Sequence, residues 1–278
     1  MVFLPVMTPL SIGDQVEEGV YPFHSRFNRA VNFRQGDRLV SVVNEEIGDG
    51  PLNIVMRNLH AVRTQKPLEI SDGKVIFEGR EFSFTDRHRY CSTLESGTAV
   101  SPRFRCNLSL FGELLQTASH PKSLAFLLND KRTQNFRSGF ERTFVKQVKR
   151  SVGQIFSGDR LNGVRTLSGC GLGLTPSGDD FIAGLLIGLN LRGTGFRGFA
   201  EQVFAAARSD NIFSNTFLDL ARRGLLFGRM KNLIFALVHG DADAVRGATG
   251  GLLAVGESSG ADLGTGFVLT VSGGVGVL

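Results

Sequence analysis

The densest chemistry in this chain lies in Ser168-Gly169-Cys170-Gly171-Leu172-Gly173-Leu174-Thr175-Pro176-Ser177-Gly178-Asp179-Asp180. Gly169, Gly171 and Gly173 reach backbone angles that a Cβ resists, and they expose amide N–H groups to whatever lies above them. Pro176 marks a helix entry, capped either by Thr175 or by Ser177 with Asp180 three residues on. Phe181, Ile182, Leu185, Leu186 and Leu189 then bury that helix. One acid at its start answers the helix dipole. A second beside it, heading so apolar a helix, risks a desolvation cost of several kcal/mol. Asp179 and Asp180 are therefore the candidate catalytic residues. Gly171, Gly173, Thr175 and Ser177 are candidate substrate contacts, their amides and hydroxyls suited to an anion. Either carboxylate suits a substrate amide, a proton or Mg²⁺. The turn is not a phosphate-binding P-loop, because no Gly-Lys-Ser/Thr follows, and no clear strand precedes it as a dinucleotide fold requires.

Three further polar clusters stand apart in the sequence. Gly256-Glu257-Ser258-Ser259-Gly260-Ala261-Asp262 again runs hydroxyls into a helix with an acid in its first turn. Ser259 with Asp262 also fits a capping-box variant, so Ser258, Ser259 and Asp262 read equally well as ligand contacts or as a cap. Ser214-Asn215-Thr216 is weaker and contributes Thr216. His24-Ser25-Arg26, followed by Asn28 and Asn32, supplies the last substrate-binding candidates, His24, Ser25 and Arg26. Adjacency does not make His24 and Ser25 a catalytic dyad, since neighbours on an extended strand point to opposite faces.

The elements that must position these groups divide by period. Arg38–Val43 is a β-branched run and Leu52–Met56 alternates, both as strands do. Lys74–Glu78 and Glu81–Thr85 are joined across Gly79-Arg80, which predicts a hairpin. From Leu108 the spacing becomes helical. Helices are expected near Leu110–Leu115, Lys122–Leu128, Phe136–Phe156, Ser177–Leu191, Phe199–Arg208, Asn211–Phe227, Met230–His239 and Asp241–Val255. The final stretch, Gly260–Val271, is small-residue and apolar. Strands followed by helices predict an α+β fold. The expected division is a strand-rich domain over residues 1–106 and a helical domain over 107–278. No internal repeat stands out.

Composition narrows the function classes. Cys91, Cys106 and Cys170 are odd in number, far apart and without metal-ligand spacing, which predicts reduced thiols in a cytoplasmic chain. The apolar Met1–Ile12 segment has no positive start and is too short for a bilayer, so no membrane partner is expected. The net charge of +5 concentrates in Lys131, Arg132, Arg137, Arg142, Lys146, Lys149 and Arg150. Phe136, Phe140, Phe144 and Val148 recur every four residues there, as a buried stripe with a solvated basic face. That pattern does not support nucleic-acid binding, and it suits an anionic substrate or an acidic partner.

The motif GLGLTPSGDDFIAGLL resembles the signature of a bacterial domain-of-unknown-function family that includes the AllH-type subunit of oxamate carbamoyltransferase, from anaerobic allantoin breakdown and hence purine catabolism. The likeness extends to Phe23-His24-Ser25-Arg26-Phe27-Asn28-Arg29-Ala30-Val31-Asn32, to Gly50-Pro51-Leu52-Asn53, to Asn215-Thr216 and to GESSGADLGTGF. Glu257 stands where the resemblance leads one to expect His, and Asn215 where it leads one to expect Thr. The resemblance implies a hetero-oligomeric transferase acting on a small anionic substrate, converting oxalurate and phosphate to oxamate and carbamoyl phosphate or the reverse. It equally implies a non-catalytic assembly or regulatory subunit with the chemistry on partner chains.

Overall fold

The computed structural model describes residues 7–59, 65–94, 101–171 and 173–273. Leu172 of the glycine-rich turn and the first six residues of the apolar N-terminal segment lie outside them. Strands come first and helices follow, an α+β architecture as the periodicity predicts. The chain forms two compact units, one of residues up to Thr93 together with Leu225–Lys231, the other of Leu94–Gly224 with Asn232 onward. A short later segment thus belongs to the strand unit.

In the strand unit, β1 (Thr8–Gly13), β3 (Phe23–Phe27), β4 (Ala30–Gln35), β5 (Arg38–Val43), β6 (Asn53–Arg57) and β10 (Arg89–Tyr90) form one sheet, ordered β10-β1-β6-β5-β4-β3. The other sheet is β2 (Gly19–Tyr21), β7 (Leu68–Ser71), β8 (Lys74–Phe77) and β9 (Arg80–Ser83), ordered β2-β7-β8-β9. Alternation sends Val31, Phe33, Val40, Val42, Ile54 and Met56 of the first sheet against Leu68, Ile70, Val75 and Phe77 of the second, making one apolar core. The β8–β9 hairpin turns one residue earlier than expected, at Glu78-Gly79. Both have positive φ, 59° and 73°, which is what a two-residue turn matching the strand twist demands. Glu78 is an unusual residue for that angle, so composition misplaced the turn.

The helical unit holds α1 (Pro102–Ala118), α2 (Gly139–Phe156), α3 (Arg160–Leu167), α4 (Ser177–Arg192), α5 (Arg197–Ala207), α6 (Ile212–Arg222), α8 (Ala242–Leu253) and α9 (Ser259–Val271), while α7 (Gly228–His239) begins in the segment Leu225–Lys231. Among the described residues no helix is long and apolar enough to cross a membrane. The expected Lys122–Leu128 helix is a single 3-10 turn, Leu124–Leu127, and α3 occupies text that read only as glycine-rich. Side chains cap the starts of α1, α2, α6 and α8. Ser101, Asn211 and Asp241 accept first-turn N–H bonds, and Ser138 with Glu141 closes a full capping box.

The aromatic stripe expected on α2 is different in fact. Ser138 starts the helix after Phe136, which is buried, packs edge-on against Phe126 and stacks on Phe144. Phe140 is 73% exposed. The buried face of the helix consists of Val145, Val148, Ser151, Val152 and Ile155. Of the basic cluster, Arg132 turns inward and donates to the carbonyls of Gln116, Ser119 and His120, closing the C-terminal end of α1. Lys149 pairs with Asp130. Arg142, Lys146 and Arg150, four residues apart, are exposed on the face opposite the valines.

Candidate functional site

Two helices meet here by their backbones. A Cβ on Gly184 of α4 would overlap the carbonyl oxygen of Leu263, and one on Gly266 of α9 would overlap that of Phe181. Gly188 faces Thr270 one turn further on. Sequence numbers rise together along the contact, so α4 and α9 run parallel and bring both N-termini to the same end. Both helices are buried through most of their length. The two starts are equivalent. Ser177-Gly178-Asp179-Asp180 and Ser259-Gly260-Ala261-Asp262 share the order Ser-Gly-x-Asp, with Gly184 and Gly266 each seven residues beyond the Ser. Gly178 lies under the carbonyl of Leu167 at the end of α3, and Gly260 under that of Leu252 near the end of α8. The first two sequence clusters are thus two copies of one helix entry around a local twofold relation. The correspondence is short and its flanks differ, which is why no internal repeat stands out in the sequence.

Neither start uses its side chains as a cap: Pro176 and Ser258 occupy the N-cap positions without side-chain bonds to first-turn amides. Both capping arrangements expected for α4, and the Ser259–Asp262 box, are therefore absent. The polar groups are spent on each other. Asp262 accepts from the Leu124 N–H at 2.6 Å and from Ser258 Oγ at 2.9 Å, and also from the hydroxyl of Ser177 on the opposite helix. Asp180 accepts from Thr175 Oγ1 at 3.4 Å and from the hydroxyl of Ser259, again across the helix pair. Each serine of the repeated motif serves the other motif's aspartate.

The two carboxyls, 2% and 0% exposed, cannot both ionise freely. Burial pushes Asp180 well above the ordinary carboxylate range, and the neighbouring Asp262 charge pushes it further. Asp262 is lifted by burial to about 6, held there by the Leu124 amide and the Ser177 and Ser258 hydroxyls. Both carboxyls are thus pushed toward the neutral form, and the charge of one disfavours ionisation of the other. Thr175, Ser177, Ser258 and Ser259 are half-buried and cover the carboxyls.

Asp179 has a different task. Its Oδ1 accepts from the Gly169 N–H at 2.8 Å, 3.2 Å from Ser168 Oγ, which donates to the Ala207 carbonyl at 2.7 Å. It ties the start of the turn to the first turn of α4. Gly171, at φ 119°, passes so close to α4 that a Cβ would sit 2.6 Å from the Ser177 nitrogen. Gly173, at φ 109°, is exposed. Because Asp179 and Asp180 take different partners, their adjacency does not by itself provide two ligands for Mg²⁺. Among the described residues no group of three or more His, Cys, Asp or Glu side chains could hold a metal ion.

The third cluster reaches the turn indirectly. Asn211, which caps α6, also donates to the Leu174 carbonyl at 2.8 Å. Thr216 lies half-buried on the second turn of α6. Asn215 spends both ends of its amide on Ser209. Glu257 pairs with His120 Nε2 at 3.2 Å, so an imidazole does stand at position 257's side, delivered from another segment. Sequence spacing gave no signal for His120 or for the Leu124 amide, since both belong to the segment that follows α1.

His24, Ser25 and Arg26 belong to the strand unit, on edge strand β3. There the expectation that His24 and Ser25 point apart fails. The β3–β4 register shifts between Phe23 and Ser25, and this bulge brings His24 Nδ1 to 3.0 Å from Ser25 Oγ. Arg26 stacks over the Phe23 ring, 5.6 Å from its centroid.

No curated protein and no solved structure matches the chain. Residues 167–271, which hold both copies of the helix entry and the whole carboxyl–hydroxyl cluster except Leu124, match the family model described as oxamate carbamoyltransferase subunit AllH. By that match, the chain carries the pattern of the AllH subunit family across α4 to α9.

Proposed function

We propose that this chain is a subunit of an oxamate carbamoyltransferase-like enzyme, and that a small anionic substrate binds where the Gly171–Asp180 turn meets the start of α9. The observation that carries the reading is the Asp180–Asp262 pair, two buried carboxyls both pushed above the ordinary carboxylate range, inside the matched segment. Phosphate attack on the carbamoyl carbon of oxalurate forms a C–O bond and breaks the C–N bond. The departing oxamate nitrogen then needs a proton. A carboxyl that burial and a neighbouring carboxyl push toward its protonated form supplies it, which is the role assigned to Asp180. Asp262, buried beneath the Ser177 and Ser258 hydroxyls that face the substrate, orients them. Two parallel helix N-termini and the hydroxyls of Thr175, Ser177, Ser258 and Ser259 offset the charge of an anionic oxygen. Asp179 positions the turn.

The test is carbamoyl phosphate formation from oxalurate and phosphate, with the chain assembled with its partner subunits. Asp262→Asn is expected to lower turnover by ~10²-fold or more while assembly persists. Full activity in both Asp262→Asn and Asp180→Asn removes the catalytic reading.

A non-catalytic assembly role has its own supporting observation, the exposed row Arg142, Lys146 and Arg150 on α2. It suits an acidic face on a partner subunit. Reversing all three to Glu is expected to weaken co-purification with partners and to make the remaining association less salt-sensitive. Unchanged association at low salt would exclude that face.

A further inference from the structure

The strand unit contains a polar row that the carboxyl pair does not explain. Ser25, Asn32 and Ser41 are register partners across β3, β4 and β5, on the sheet face opposite the Val31–Phe33–Val40–Val42 core. Asn32 is 3% exposed and is oriented at both ends of its amide. Ser41 Oγ donates to Asn32 Oδ1 at 2.7 Å, and Asn32 Nδ2 donates to Ser25 Oγ at 3.1 Å. That bond occupies one lone pair of Ser25 Oγ, and its proton can go to the other neighbour, His24 Nδ1, at 3.0 Å, in the tautomer whose Nδ1 is unprotonated. A hydroxyl that accepts from an oriented amide and donates to an imidazole is polarised toward alkoxide. A nucleophile and its base within about 3.2 Å make the central contact of covalent catalysis, which a third group orienting the base completes. The bulge that creates the contact lies on an edge strand, where bulges commonly re-aim a side chain.

We propose that Ser25 is a nucleophile, with His24 as its base, that accepts an acyl or carbamoyl group from an activated donor. Ser25 Oγ bonds to the donor's carbonyl carbon while His24 Nδ1 takes the hydroxyl proton. The bond from that carbon to the leaving oxygen or nitrogen breaks, its electron pair departs with the leaving group, and His24 returns the proton to it. A second nucleophile later takes the group from Ser25 by the reverse sequence. This site is independent of the Asp180–Asp262 reading.

The experiment treats the full chain with a fluorophosphonate, which a polarised serine attacks with formation of an Oγ–P bond and loss of fluoride, and locates the adduct by peptide mass. The expected result is an adduct at Ser25 that is absent from Ser25→Ala. His24→Gln, at an exposed position, is expected to keep the fold by circular dichroism and to slow labelling by ~10²-fold or more. No adduct at Ser25 in the wild-type chain overturns the proposal, as does equal labelling of a folded His24→Gln.

Discussion

Asp180→Asn raises the thermal midpoint of this protein at pH 8 by several degrees and at the same time lowers the proposed turnover by ~10²-fold or more. The two effects have one cause. Asp180 is a buried carboxyl beside the charge of Asp262, and its raised pKa means that ionising it costs folding energy. In the unfolded chain it ionises near pH 4. The stability associated with its protonated form is therefore complete below that pH and declines as pH rises toward the folded-state value. Asn reproduces the neutral acid, with an amide donor and a carbonyl acceptor, and does not ionise. The variant should match wild type near pH 4 and exceed it increasingly at higher pH. Asp262 remains in both proteins. Lifted from 3.8 to about 6, it produces a loss of about 3 kcal/mol between roughly pH 4 and 6 in each. Thermal unfolding followed from pH 4 to 8 checks the divergence. A variant less stable than wild type at pH 8 would show that the Asp180 charge is welcome where it sits.

Gly184→Ala and Gly266→Ala each destabilise the protein by about 3 kcal/mol or more. In both cases the new methyl must overlap a backbone carbonyl, of Leu263 or Phe181, rather than the end of a movable side chain. The only relief is separation of α4 from α9, which forfeits contacts along two almost wholly buried helices. Once one substitution has driven them apart, the second meets less resistance. The double variant is therefore expected to lose clearly less than the sum of the single losses. Gly247→Ala provides the control, because its Cβ position on α8 meets open space and helix propensity favours Ala by ~0.5–1 kcal/mol. Urea unfolding gives all four values. Additive losses would place the two glycines in independent contacts and undo the twofold description of the site.

Local pattern was sufficient where one element decides the outcome. The β-branched run of β5, the helix starting at Ser177 and the change from strands to helices all follow from side-chain period and propensity, which act over a few residues. The two acidic helix entries were also visible as clusters. Their purpose was not, because a Ser three residues before an Asp has the same spacing whether the pair caps its own helix or serves another. Ser177 with Asp262, and Ser259 with Asp180, are partners only because glycines let two sequence-distant helices pack backbone to backbone. The same limit hid the His24–Ser25 contact, which depends on a register shift set by the pairing of β3 with β4. Sequence determined which segments are strands, helices and polar turns. Tertiary packing decided which acids face each other, and so that both are pushed toward their protonated forms, because burial and a neighbouring charge belong to the folded chain alone.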